Sequence, residues 1–338
     1  MTLFKKFIYI FFANIININL FFLKNIKRDN FVYFRIISFG DTFTYYINNY
    51  SKIKNKKIKI LVFSQLEKKI ADFFFTKNKI KKLLFLVPNF IPMYTINDLL
   101  NKKKYFIPSS IYDLDQAKLK VQSKHKNLLI NLLKSKLNLV SENLKKIQNE
   151  KYCVIFIKHN NNNKNDIAGS NSRQTSDFNK IFKVINFLTN YKFKIVILGD
   201  KNDKSLDILK IYYKNDKDII FFKDLSNSYS VIDQLFVHQH STLTIGNCSG
   251  AFIIPIYLKK KIIFFDYFKQ NYYSLVHSKN IKNFYKKIIF NNKVEVLTEK
   301  ILKNISNKKI PLKGTFKIKE NSYNEIKKHI QKYVSKSY

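Results

Sequence analysis

The residues of this chain that are best suited to chemistry follow a short, strand-like apolar run near the middle of the sequence. This turn, residues 246–250, reads GNCSG and leads into a second apolar run of helix length. Backbone N–H groups at the start of a helix favour an anion such as a phosphate. We therefore expect a phosphate-bearing ligand here, unless the glycines only relieve crowding between strand and helix. The predicted substrate-binding residues are Gly246, Asn247, Ser249, Gly250 and Ala251, with Ser249 Oγ and the N–H groups of Gly250 and Ala251 as donors.

A second candidate site is Gly40-Asp41-Thr42, which follows the apolar run FVYFRIIS at residues 31–38. In open α/β sheets ligands bind beyond the carboxyl ends of the strands. We therefore predict that Gly40 and Thr42 bind substrate and that Asp41 takes a proton from a substrate hydroxyl as a general base. The alternative is that Asp41 only caps the helix that follows.

Charged residues follow two other strand-like runs in the same way. Lys158 and His159 follow CVIFI at residues 153–157, and Asp200 follows IVILG at residues 195–199. We predict that Lys158, Gly199 and Asp200 bind substrate, and that His159 is a second candidate for the catalytic base.

Arg173 lies in a long polar loop, residues 160–175. The chain has 62 Lys and Arg, and only Arg28, Arg35 and Arg173 are arginine. A guanidinium group offers a fork that matches a phosphate or a carboxylate. We predict that Arg173 binds the substrate anion, with a solvated loop residue as the alternative.

The net charge of +39 would by itself favour a polyanion partner. However, the lysines are spread along the whole chain, which is also rich in Asn, Ile, Phe and Tyr, as expected of an AT-rich genome. We therefore attribute the charge to codon bias with some attraction to phosphates or a membrane surface, and expect no nucleic-acid partner. The same bias makes the six glycines informative, since a rare Gly should lie where the backbone requires it.

No metal or cofactor motif is present in the sequence. GxGxxG, the Walker loop, HExxH and GxSxG are all absent, and the two cysteines have no metal-ligand spacing. His238 and His240 cannot share one helix face, so we interpret them as a surface helix terminus. Cys153 lies in an apolar run and is predicted to be core, and the cysteine content fits a reducing cytoplasm.

Strand-like runs alternate with helical patterns, which predicts an α/β fold with parallel sheets and a final helix over residues 321–333. The length of 338 residues suits two domains of about 150 residues each. Residues 1–30 form an apolar segment that is either a packed first helix or an interfacial membrane helix, with a transmembrane span as the third alternative. The predicted ranges are 1–30 for this segment, 31–145 and 151–310 for the two domains, and 311–338 for the C-terminal helix.

The order of these features resembles a family of bacterial glycosyltransferases encoded with surface-polysaccharide genes. The resemblance is carried by Lys158-His159, Ser172-Arg173-Gln174, IVILGD at 195–200 and LFVHQHSTLTIGNCSG at 235–250. It covers residues 150–270 well and residues 31–64 loosely. Lys158, His159 and Gln174 depart from the family, which has Arg, an acidic residue and Asn there.

The resemblance implies a GT-B-like fold, in which two Rossmann-like domains face a cleft and the second binds a nucleotide-sugar donor. It also implies transfer of the sugar to a glycan or lipid-linked glycan acceptor of surface polysaccharide or lipopolysaccharide, with no bound metal or cofactor. The segment 251–257 has no acidic residue, which favours an inverting reaction. The implied location is the cytoplasm, at the inner face of the cytoplasmic membrane. The alternatives are a nucleotide-sugar epimerase of the same fold and a basic nucleic-acid-binding protein.

Overall fold

The computed structural model describes a large part of the chain. The described residues are 30–33, 39–55, 58–62, 65–82, 121–157, 178–199, 204–226, 230–247, 250–267, 279–290, 293–298, 300–301 and 316–334. The predicted N-terminal segment lies outside these ranges, apart from Asn30. No helix within the described ranges is long and apolar enough to cross a membrane.

Helices and strands alternate along the described chain. The strands are β1 Asn30–Tyr33, β2 Ile58–Val62, β3 Ile80–Lys82, β4 Tyr152–Ile157, β5 Lys194–Gly199, β6 Ile219–Phe221, β7 Leu243–Gly246, β8 Ile262–Tyr267, β9 Ile281–Tyr285, β10 Lys287–Phe290, β11 Lys293–Val296 and β12 Phe316–Lys319. The α-helices are α1 Phe39–Asn55, α2 Gln65–Phe74, α3 Ser123–Ser135, α4 Glu142–Lys146, α5 Phe178–Asn190, α6 Lys204–Tyr212, α7 Phe222–Leu225, α8 Val231–His240, α9 Ile253–Tyr257 and α10 Tyr323–Val334. The predicted α/β class is thus confirmed, including the final helix.

The larger unit, residues 121–338, is built on a six-stranded sheet with the order β6-β5-β4-β7-β8-β9. All five pairings in this sheet are parallel. Strand β4 is buried along its whole length, as its continuous apolar run predicts, and Cys153 in it is fully buried. The predicted parallel sheet is therefore confirmed in this unit.

One apolar core joins this sheet to the C-terminal helix α10. Ile326, Ile330 and Val334 recur every four residues, so they share one face of α10, and all three are buried in the core with β4 and β5. Ile181 and Val184 of α5 join the same core. The C-terminal helix is therefore part of the unit that holds the sheet.

The smaller unit, residues 1–120, contains a three-stranded parallel sheet with the order β1-β2-β3. Its helices α1 and α2 pack through aromatic rings. The ring of Phe43 lies 6.2 Å from that of Phe73 and 5.0 Å from that of Phe74. The high phenylalanine content is thus used for packing between helices. Residues 83–87 are an apolar run that predicts a further strand, and they lie outside the described residues, directly after β3 in the sequence.

Residues 121–150 belong by contacts to the larger unit, although the sequence analysis placed most of them in the first domain and a connecting segment. Ser141 is the clearest link. Its backbone N–H and its Oγ donate to the two carboxylate oxygens of Asp233 on α8, at 2.9 and 2.8 Å. This polar stretch is therefore docked on α8, which hydropathy alone does not reveal.

A second sheet in the larger unit was not predicted. Strands β11, β10 and β12 form it in that order, with antiparallel pairings on both sides of β10. The sequence VEVL at residues 294–297 fits either an edge strand or a helix start. The structure places Lys293–Val296 in the exposed edge strand β11, and the buried Leu297 follows it. The strands are only four residues long, which explains why the pattern was weak.

Candidate functional site

The candidate site lies at the carboxyl ends of the parallel strands in the larger unit. The sheet order changes direction between β4 and β7, since β5 and β6 lie on one side of β4 and β7 to β9 on the other. In doubly wound sheets of this Rossmann-like order, ligands bind in the crevice at the switch point, beyond the carboxyl ends of the strands. The edge next to the ends of β4 and β7 is therefore the candidate binding site.

Three strand ends lie level at this edge. Ile157 of β4 pairs with Gly199 of β5, and Phe156 of β4 pairs with Gly246 of β7. The sequence analysis singled out the residues that come directly after each of these strands. Parallel pairing thus brings to one edge of one sheet the ends of the three strands that precede these segments in the sequence.

Gly246 is required by the close approach of β7 to β4. A Cβ atom on this residue would lie 2.0 Å from the carbonyl oxygen of Phe156 and 3.0 Å from the ring of Phe252. The backbone oxygen of a paired strand cannot move aside without breaking the sheet. The prediction that a rare glycine lies where the backbone needs it holds here for a packing reason.

Aromatic rings pack together beside the turn after β7. The ring of Phe252 lies 5.7 Å from that of Phe156 at the end of β4 and 4.5 Å from that of Phe264 on β8. Asn247 is completely buried. Phe252, two residues after the turn, thus packs against side chains of both neighbouring strands.

The helix after this turn is shorter than the sequence indicated. Gly250 and Ala251 begin a three-residue 3-10 turn, Gly250–Phe252, and α9 adds only five residues before the chain reverses. Lys259 has a φ of 56°, and its N–H and that of Lys260 donate to Ile256 O and Pro255 O, as in a left-handed helix C-terminus. The apolar run Ile253–Tyr257 is entirely buried, which accounts for its hydrophobicity.

Gly199 closes β5 and is also constrained by packing. A Cβ atom here would lie 2.7 Å from a methyl group of Leu206 on α6. Unlike the contact at Gly246, this one is with the flexible end of a side chain. Gly199 therefore lets α6 pack close to the sheet. Substituting Gly199 should cost less stability than substituting Gly246.

Several predicted site residues lie outside the described residues. These are Lys158, His159, Arg173, Asp200 and Ser249. Their roles stay predictions, and what the structure adds is the position of the strands that precede them in the sequence.

Gly40, Asp41 and Thr42 lie in the first turn of α1 and do not form a turn between strand and helix. Asp41 is half-buried, and Thr42 is completely buried. Asp41 is the third residue of α1 and not its N-cap, so the alternative of a capping residue was wrong, although a carboxylate in the first turn still interacts favourably with the helix dipole. Its catalytic role stays a prediction.

The histidine pair at the end of α8 was only partly anticipated. His240 ends the helix and is half-buried, but His238 is almost completely buried, so the prediction that both lie on the surface was wrong. Seven of the ten residues of helix α8 are buried, and His238 is one of them. The described residues contain no group of three or more His, Cys, Asp or Glu that could hold a metal ion.

His238 is held neutral by its surroundings. Burial, with a smaller contribution from Lys260, lowers its pKa from 6.5 to about 3. Its Nδ1 lies 3.3 Å from Thr244 Oγ1 on β7, and its Nε2 has no hydrogen-bond partner among the described residues. A charged imidazole would therefore disrupt the packing of α8 on β7.

The sequence matches no protein-family model and no curated protein. Solved structures do resemble the fold. The ADP-heptose lps heptosyltransferase II of E. coli is 8% identical, with 91% of this chain and 99% of that chain covered and a TM-score of 0.47. A family 9 glycosyl transferase from Veillonella parvula DSM 2008 is 10% identical, with 90% and 97% covered and a TM-score of 0.42.

A UDP-GlcNAc 2-epimerase from Methanocaldococcus jannaschii is also similar in fold. It is 13% identical, with 87% of this chain and 79% of that chain covered and a TM-score of 0.34. Since all these identities and TM-scores are low, the strand order and the residues of this chain carry the argument for its site.

The contacts at the two glycines predict different costs of adding one methyl group. Gly246→Ala should lower the free energy of unfolding by about 3 kcal/mol, since the new Cβ would overlap a backbone oxygen. Gly199→Ala should cost only about 1 kcal/mol, since Leu206 can change its rotamer. Urea unfolding followed by circular dichroism measures both, and equal losses would contradict the special role of Gly246.

The buried His238 predicts a pH dependence of stability. The unfolded chain binds a proton at this residue below about pH 6.5, whereas the folded chain does so only near pH 3. Stability should therefore be complete above pH 6.5 and fall by about 1.4 kcal/mol per pH unit as the pH drops below it. His238→Gln removes the titration, so the variant should lose less stability than the wild type between pH 6.5 and 5. Parallel losses in the two proteins would contradict this assignment.

Proposed function

We propose that this protein is a glycosyltransferase that takes its sugar from a nucleotide-sugar donor. The observation that carries the proposal is the level ending of β5, β4 and β7 at the switch point of the sheet. The segments expected to bind the donor follow these three strands in the sequence. This arrangement supports one binding edge for a ligand that carries a nucleotide and a diphosphate.

In the proposed site the diphosphate interacts with the turn after β7. Backbone N–H groups of residues 249–251, Arg173 and Lys158 would balance the negative charge that develops on the leaving diphosphate. These groups provide the stabilisation without a bound metal ion. The proposed reaction is accordingly metal-independent.

The proposed reaction is a direct, inverting displacement. The acceptor hydroxyl oxygen forms a bond to the anomeric carbon while the bond from that carbon to the diphosphate oxygen breaks. Asp41 or His159 accepts the hydroxyl proton as the general base. The nucleoside diphosphate leaves with the bonding electron pair.

The proposed acceptor is a glycan or lipid-linked glycan of surface polysaccharide or lipopolysaccharide. A net charge of +39 and the apolar N-terminal segment support contact with an anionic membrane surface, where such an acceptor would be bound. We place the protein in the cytoplasm at the inner face of the membrane on this basis.

Nucleotide binding is the first test of this proposal. Nucleoside diphosphates and nucleotide-sugars of adenine, guanine, uracil and cytosine are compared in a thermal-shift panel. A matching ligand at a hundred times its Kd adds about 2.7 kcal/mol of stability, so the melting temperature should rise by several degrees. Arg173→Ala and Ser249→Ala should remove most of this rise, whereas the control variants Arg35→Ala and Ser123→Ala should retain it.

Several outcomes would contradict the proposal. If no nucleotide stabilises the chain, or if Arg173→Ala and Ser249→Ala change nothing, the donor site is wrong. Conversion of a nucleotide-sugar to its epimer without any acceptor would instead establish the epimerase. Salt-sensitive DNA binding near physiological ionic strength would favour the nucleic-acid binder.

A further inference from the structure

A buried polar network lies at the end of β8, the strand that follows β7 in the sheet. Lys180 on α5 and Asp266 on β8 form an ion pair, and both side chains are fully buried, with 0% exposure. Lys180 Nζ also donates to Asn321 O at 3.0 Å and lies 3.3 Å from Glu320 Oε2. Glu320 lies in turn 3.4 Å from Lys286 Nζ.

Asn321 bonds both to the backbone and to the side chain of Asp266. The Asp266 N–H donates to Asn321 Oδ1 at 2.8 Å, and the Asn321 N–H donates to Asp266 Oδ1 at 2.8 Å. Asn321 Nδ2 also donates to Tyr285 O, at the end of β9, at 3.0 Å. One residue from the segment before α10 thus joins the ends of two neighbouring strands of the sheet.

Asp266 has a left-handed backbone, with a φ of 51°. The pairing of β8 with β9 shifts register between Phe264 and Tyr267, so Asp266 lies in a β-bulge. In a regular strand Asp266 and Phe265 would face opposite sides, yet Asp266 pairs with Lys180, whose Nζ lies 5.6 Å from the centre of the Phe265 ring. The bulge turns the carboxylate of Asp266 toward α5.

Left-handed backbone outside glycine costs free energy and persists only where the surroundings hold it. Here the hydrogen bonds of Asn321 and the ion pair with Lys180 hold it. The strand end that they fix also contacts residues on both sides of the turn after β7. Phe264 pairs with Gly246, which begins the turn, and its ring packs at 4.5 Å on that of Phe252, two residues after the turn.

We propose that Lys180, Asp266 and Asn321 are positioning residues for the donor site. They fix the end of β8, and Phe264 transmits this geometry to Phe252 and the turn at residues 246–250. The C-terminal segment before α10 is thereby a component of the site, although it is far from the turn in sequence. The identity of the ligand in this inference rests on the proposed function, whereas the effect on the turn does not.

Amide hydrogen exchange in the ligand-free protein tests the positioning role. Asn321→Ala removes the side-chain bonds to Asp266 and Tyr285, and Asp266→Asn removes the charge but tolerates the left-handed backbone. Both variants should raise exchange in peptides covering residues 243–252 on the order of tenfold. Lys287→Met is the matched control, since it breaks only the half-exposed pair of Lys287 with Glu325 on α10, and it should leave these peptides unchanged.

The double variant Lys180→Met, Asp266→Leu keeps the test valid if the single variants do not fold. Replacing a buried ion pair by apolar residues of similar size is often tolerated. This variant should show a cooperative thermal unfolding transition, as a folded protein does, and still show faster amide exchange at residues 243–252. Faster exchange confined to residues 316–334 in all variants would overturn the inference, because the network would then only fasten the C-terminal helix.

Nucleotide affinity separates this inference from the proposed function. In one outcome, Asn321→Ala speeds exchange in the turn and raises the Kd of the best nucleoside diphosphate about tenfold, while the rate of global unfolding stays unchanged. The positioning role and the proposed function then both hold. If the turn loosens but no nucleotide binds the wild type, the positioning role stands and the proposed function fails. If nucleotide binds equally well to the wild type and to all variants, the positioning role is overturned and the proposed function stands.

Discussion

The contact between Gly246 and the Phe156 carbonyl oxygen is the constraint on which the candidate site depends. At this point the sheet order changes direction, and β4 and β7 approach so closely that only a hydrogen atom fits in place of a side chain. This approach brings the carboxyl end of β7 next to that of β4. Without it, the strands that precede the predicted donor segments would not end at one edge of the sheet.

Two different kinds of interaction stabilise the larger unit around this contact. An apolar core of strands β4, β5 and β7, helix α5 and the C-terminal helix stabilises the sheet. The ends of β8 and β9 are instead held by a buried network of charges and amides. Such a network is costly to bury unless every group is paired, so its geometry is narrowly defined. A narrowly defined geometry suits a part of the fold that lies next to the proposed binding turn.

The sequence predicted most strands of both parallel sheets, because long apolar runs such as residues 153–157 are typical of fully buried strands. It also predicted the C-terminal helix from its regular apolar spacing. It did not predict the network, since Lys180 in an amphipathic helix pattern looks like a solvated lysine. Its burial depends on Asp266 and Asn321, which are distant in sequence. The burial of His238 was missed because long-range packing decides it, whereas β10 and β12 were missed because strands of four residues give only a weak pattern.

The structure of the chain with the nucleoside diphosphate that stabilises it most is the most direct test of the central claim. The account predicts that the diphosphate lies beyond the carboxyl ends of β4 and β7, within hydrogen-bond distance of backbone N–H groups in residues 246–251. Binding at any other edge of the sheet, or no bound nucleotide at concentrations far above Kd, would contradict it.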